Sequence, residues 1–104
     1  AIKTYKAVFD YGKIGEGFCA FLLIALSSDE YSDPERIAKS LARHSEVESV
    51  DILAGDWELI VKTRARDQDE YYQFLKNVIS KEKGIENTNS IISLKQVKTE
   101  FLQL

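Results

Sequence analysis

A chain of 104 residues, 44% hydrophobic and 30% charged, is the size of one ordinary domain and has the composition of a globular protein, neither disordered nor membrane-spanning. Its net charge of -3 argues against DNA binding by this chain alone, because that affinity rests on clustered Lys and Arg neutralising phosphates. The single Cys and single His exclude an internal disulfide and leave no recognisable metal motif, which together point to a reducing, cytoplasmic setting with no metal and no cofactor.

Residues 1–17 read as a linker-like segment, ending in a stretch where Gly12, Gly15 and Gly17 fall close together. The absence of Met leaves open removal of an initiator or a longer parent chain. The unbroken apolar run Phe18 to Leu26 is far shorter than the roughly 20 residues that span a bilayer, and its length and flanks predict a strand buried on both faces. Asp33-Pro34-Glu35 opens a helix, with Asp33 as cap and Pro34 at the first helical position, and Ile37, Ala38, Leu41 and Ala42 share one face of it. Two β-type runs follow, Val47 to Leu53 and Trp57 to Thr63, joined by Ala54-Gly55-Asp56 as a tight hairpin turn. The second helix has Asp67 and Glu70 at capping-box spacing, an apolar face of Tyr71, Phe74, Leu75, Val78 and Ile79, and Gly84 as its stop. A polar loop, Glu86 to Ser90, then leads to a last strand from Ile91 to Val97.

The order βαββαβ with right-handed crossovers and a central hairpin predicts an α+β, ferredoxin-like domain over residues 18–104, an antiparallel sheet with both helices on one face. The other face is left bare. Because the first strand is apolar throughout, large groups are expected on that face, drawn from Phe18, Ala20, Phe21, Leu22, Leu23 and Ile24. Each such side chain left in water forfeits about 1.5–3 kcal/mol, so sheet-to-sheet pairing into a homodimer is expected. The competing cover is the segment 1–12 folded back over the same face.

Little here suggests catalysis. His44 lies near a helix end, where a cation is favoured, and Cys19 sits among apolar neighbours. The clustered glycines precede a strand instead of linking a strand to a helix, so they do not make a phosphate loop. Asp56 and Glu58 flank Trp57 at the hairpin without a partner base or nucleophile, and Thr88 and Ser90, two positions apart, can present hydroxyls in one direction. No catalytic residue is assigned.

Several stretches, taken in order, resemble the effector-binding domain of the Lrp/AsnC transcription regulators, known as the domain for regulation of amino-acid metabolism. They are Ile14-Gly15 ahead of Ala20-Phe21-Leu22-Leu23-Ile24, the span Val50 to Val61 holding Gly55-Asp56-Trp57-Glu58, and Gly84-Ile85 followed by Thr88-Asn89-Ser90. The resemblance spans nearly the whole chain. It implies a ferredoxin-like domain that pairs sheet to sheet, with dimers joining into an octamer or other ring. It further implies a free amino-acid effector bound where dimers meet, at Gly55, Asp56, Trp57, Glu58, Thr88 and Ser90. Glu58 stands where the family has a second Asp and Ser90 where it has a second Thr, changes of reach and bulk that put the effector's identity in doubt.

Regulators of this kind carry a DNA-binding helix-turn-helix, which residues 1–17 do not supply. A fragment of a complete regulator and a stand-alone sensor that co-assembles with full-length regulators both fit. The alternatives are a small dimeric ferredoxin-like enzyme of isomerase or monooxygenase type, and an adaptor that only drives oligomerisation.

Overall fold

The structure is a computed structural model that describes residues 17–28 and 33–98. The segment expected to act as a linker, and with it the expected fold-back of residues 1–12, lies outside the described residues apart from Gly17. The elements are β1 (Phe18–Leu26), α1 (Pro34–Ala42), β2 (Val47–Ile52), β3 (Leu59–Ala65), α2 (Gln68–Asn77), a 3₁₀ turn (Ile79–Lys81) and β4 (Ile85–Ser93). The four strands make one antiparallel sheet in the order β2-β3-β1-β4, which with two helices is the ferredoxin-like fold.

Helix starts follow the capping chemistry of the sequence. The Asp33 carboxylate accepts from the Glu35 amide at 3.1 Å, ahead of Pro34, and the Asp67 carboxylate accepts from the Glu70 amide at 2.9 Å. The first turn of each helix also carries acid, which suits the dipole. The second helix is shorter than its apolar spacing predicts. Its α-helical turns stop at Asn77, and Ile79 reaches the core from the tighter 3₁₀ turn.

Strand register decides which residues meet the helices. Antiparallel partners point to the same face, and Ala20, Leu22 and Ile24 are paired with Thr63, Val61 and Leu59. These six are enclosed with Ile37 and Leu41 of α1 and Tyr71 and Phe74 of α2, forming one core among the described residues. Thr63, polar but buried there, is satisfied by donating its hydroxyl to the Ala20 carbonyl at 3.0 Å.

Two loops differ from expectation. The hairpin turn is wider than Ala54-Gly55-Asp56: β2 ends at Ile52, β3 begins at Leu59, and the loop is closed by the Leu53 amide donating to the Glu58 carbonyl at 2.8 Å. Gly55, at φ +140°, supplies the one backbone turn in it that a side chain would oppose. The polar stretch Glu86 to Ser90 is not a loop but the first half of β4, paired with β1. The sheet ends at Ser93, and Leu94 and Val97 stand out from it, 95% and 87% exposed.

Candidate functional site

Three regions bear on function: the β2–β3 loop, strand β4, and the sheet face away from the helices. In the loop, Gly55 and Asp56 are exposed and Trp57 and Glu58 are half-buried. Glu58 is tied to β1 twice, since its amide donates to the Ile24 carbonyl at 2.9 Å and its carboxylate accepts from the Leu26 amide at 2.8 Å. One of its oxygens is therefore committed to holding the end of β1. Asp56 makes no such bond among the described residues.

On β4, Thr88 and Ser90 pair with Ile24 and Leu22 and so point to the helix side of the sheet, in one direction as their spacing predicts. They are not equivalent. The Ser90 hydroxyl is 2.7 Å from the Tyr71 hydroxyl and spent on that contact, whereas the Thr88 hydroxyl has no partner among the described residues. Burial pushes the Tyr71 phenol above its ordinary value, against a smaller opposing effect of the Ser90 hydrogen bond. Tyr71 was legible in the sequence only as a core residue; nothing there signals its bond to a strand 19 residues on.

Beside Thr88, the end of the second helix and β4 border a groove of about 330 Å³ lined by Leu75, Ile79 and Ile85, and by Glu82 and Glu86. The loop residues Gly55 to Glu58 do not line it. Both sets nevertheless lie toward one end of the sheet, where Ile24 is flanked by Leu59 on one side and Thr88 on the other. Within one chain β1 separates them.

The open face corrects part of the sequence reading. Ala20, Leu22 and Ile24 are fully enclosed in the chain's own core, and Phe18 packs on the Tyr71 ring at 5.4 Å. Of the residues expected at a sheet-to-sheet contact, only Phe21 and Leu23 stand on the bare face. An apolar strand has no alternation to reveal this. Ile60 and Ile91 join them there, the latter 47% exposed. Around this apolar centre, Glu48 is paired with Arg64 at 2.7 Å and Lys62 at 3.6 Å, and the Lys62 ammonium lies 5.7 Å from the Phe21 ring. Cys19 is on the same face, buried, and its thiol is pushed above the ordinary value mainly by that burial, with Arg64 and Lys62 opposing. His44 sits edge-on to Phe74 at 6.3 Å, a packing position. Among the described residues no three His, Cys, Asp or Glu side chains gather as metal ligands, and no helix is long and apolar enough to cross a membrane.

The fold and the chain's sequence can be placed among known proteins. The family model of the Lrp/AsnC ligand binding domain matches residues 19–102. The chain belongs to the Lrp/AsnC ligand binding domain family. This Lrp/AsnC domain is 32% identical over 97 residues to the HTH-type transcriptional regulator FL11 of Pyrococcus horikoshii, covering 93% of the chain and 62% of the relative. It is 34% identical over 94 residues to FL11 of Pyrococcus furiosus, covering 90% and 60%. The chain thus spans about three fifths of the length of these relatives. They are named as transcriptional regulators, and the Lrp/AsnC domain is a ligand-binding unit of such regulators, not an enzyme. In structure it resembles AsnC of E. coli, with a TM-score of 0.78 at 19% identity over 97% of this chain and 72% of that one. It also resembles a transcriptional regulator from Neisseria meningitidis in complex with L-Met, at 0.75 and 18%, over 94% and 69%.

Proposed function

We propose that this domain senses a free amino acid in the cytoplasm, at a boundary between subunits, and passes its occupancy to the assembly of a transcriptional regulator. The observation that carries the reading is the pair of unspent hydrogen-bonding sets toward one end of the sheet. Asp56 and the loop around Gly55 offer an acceptor and backbone donors, and Thr88 offers a free hydroxyl, but β1 keeps them apart within one chain. A zwitterion needs an acceptor for its ammonium and donors for its carboxylate, and a neighbouring subunit completes such a set. The L-Met complex of the Neisseria relative supports the ligand class.

Homodimers form through the open face, where an apolar centre of Phe21, Leu23, Ile60 and Ile91 is rimmed by charged groups, the arrangement of a protein interface. Dimers then join into a ring, an octamer or another closed set, in which full-length regulators can co-assemble with this domain. At a net charge of -3 the domain leaves DNA to other parts of a regulator.

A thermal-shift screen of the twenty amino acids tests this, since a ligand that binds only the folded state raises the melting temperature. Asp56→Ala and Thr88→Val are expected to remove the shift while the dimer persists. If no amino acid moves the melting temperature, the reading falls. If both variants keep the parent's affinity, the site is elsewhere.

A further inference from the structure

The groove between the second helix and β4 has its own selectivity. Its volume, about 330 Å³, lies at the small end of ligand pockets, and its walls, Leu75, Ile79 and Ile85, are aliphatic. Among the described residues no Lys or Arg lines it, so these offer no positive charge to receive a carboxylate. Of its two acids, Glu82 is already engaged, by Arg36 at 3.2 Å and the Ser40 hydroxyl at 2.9 Å. Glu86 has no partner among the described residues.

The placement of Glu86 is a consequence of strand irregularity. Ala25 pairs with Asn87 and Leu26 with Ile85, so Glu86 is the extra residue of a β-bulge. A bulge breaks the strict alternation of the pleat, and here it inserts Glu86 between Ile85 and Asn87 in the stretch that borders the groove. Glu86 and Thr88, neither of whose side chains has a partner among the described residues, thus line the same small groove as the aliphatic wall.

We propose that this groove is the ammonium and side-chain half of the ligand site, taking a small aliphatic primary amine with Glu86 as its acceptor. This rests on the amino-acid reading and assigns one end of that ligand: the tail lies against Leu75, Ile79 and Ile85, the ammonium at Glu86 and Thr88, and the carboxylate faces outward to the backbone donors around Gly55 of a neighbouring subunit, whose Asp56 is the ammonium's second acceptor. It follows that a carboxylate-free amine binds the groove, while an aliphatic acid of the same shape does not.

Methyl-labelled chain titrated with isoamylamine, and separately with isocaproate, provides the test. The amine is expected to move the methyl resonances of Leu75, Ile79 and Ile85, and the exposed, conservative change Glu86→Gln to weaken it at least about tenfold, as loss of a hydrogen bond to a charged group does. Isocaproate is expected to leave those methyls unmoved. Equal binding of amine and acid, or full affinity in Glu86→Gln, would overturn the assignment of Glu86. Unmoved methyls under isoamylamine, in a chain whose melting temperature an amino acid still raises, would overturn the groove and spare the amino-acid reading. Moved methyls with no response to any amino acid would overturn the amino-acid reading, and with it the groove's place as half of that site.

Discussion

The hydroxyls of Tyr71 and Ser90 meet at 2.7 Å, so the second helix is hydrogen-bonded directly to the edge strand β4. The Tyr71 ring is buried between Phe18 and Phe74, with centroids 5.4 and 6.4 Å away, which fixes where its hydroxyl can reach. Tyr71→Phe keeps that packing and removes only the bond. It is expected to cost about 0.5–1.5 kcal/mol in urea unfolding, and a double-mutant cycle with Ser90→Ala should return a coupling of that size. A coupling of zero would mean that the contact contributes nothing. Since the Ser90 hydroxyl is engaged, Ser90→Ala should also disturb amino-acid affinity less than Thr88→Val.

Glu58 was a candidate ligand residue, yet its carboxylate caps the Leu26 amide across the end of β1. Glu58→Ala is expected to destabilise the chain by about 1–3 kcal/mol, because the amide then lacks its charged acceptor. Hydrogen exchange at Leu26 should quicken in the same variant. Unchanged exchange there would show that the contact does not protect the amide.

The two faces of β1 make opposite demands. Phe21→Lys or Leu23→Lys, on the open face, should leave the fold intact by circular dichroism and convert the dimer to an 11.9 kDa monomer in light scattering. Leu22→Ala, on the enclosed face, should instead cost about 2–5 kcal/mol of stability, as a cavity in the core. A monomeric parent protein at micromolar concentration would remove the basis for the first of these outcomes.

Alkaline pH should weaken the fold. The thiol of Cys19 and the phenol of Tyr71 are both raised by burial above their ordinary values of 9.0 and 10.0. The unfolded chain therefore loses these protons first, and stability falls as pH rises past about 9 and further past about 10. Cys19→Ala is expected to remove the earlier part of the fall and Tyr71→Phe the later part, read as unfolding midpoints across that range. An unchanged slope in Cys19→Ala would assign the earlier part to other groups.

Helix starts were legible because their chemistry is local: Asp33 and Asp67 bond amides two and three residues away. The first strand was legible by its length and flanks. Its orientation was not, since Phe18 to Leu26 has no polar position, and only the alternation of β3, with Leu59, Val61 and Thr63 set against Ile60, Lys62 and Arg64, decides which side faces the helices. The start of β4 was hidden for a related reason. Glu86 to Ser90 have little strand propensity of their own and are held by pairing with β1, where an edge position tolerates polar side chains on an exposed surface. Asp56 and Thr88 could be named from the sequence, but the groove next to Thr88 depends on a bulge and on a helix end. Neither leaves a mark in residue spacing.

The strand order sets β1 beside β4, the first of the described strands beside the last, so that Cys19 is paired with Ser93. The β2–β3 hairpin is closed by near neighbours, while this pairing bridges almost the whole described length and carries a far larger loop-closure cost. β4 should therefore dock late in folding, sealing Leu22 and Ile24 only after the rest of the sheet has formed. Mutations in β4 would then speed unfolding more than they slow folding. A circular permutant that joins the segment after Ser93 to the segment before Phe18 would turn the most distant pairing into the most local one, and reverse that order.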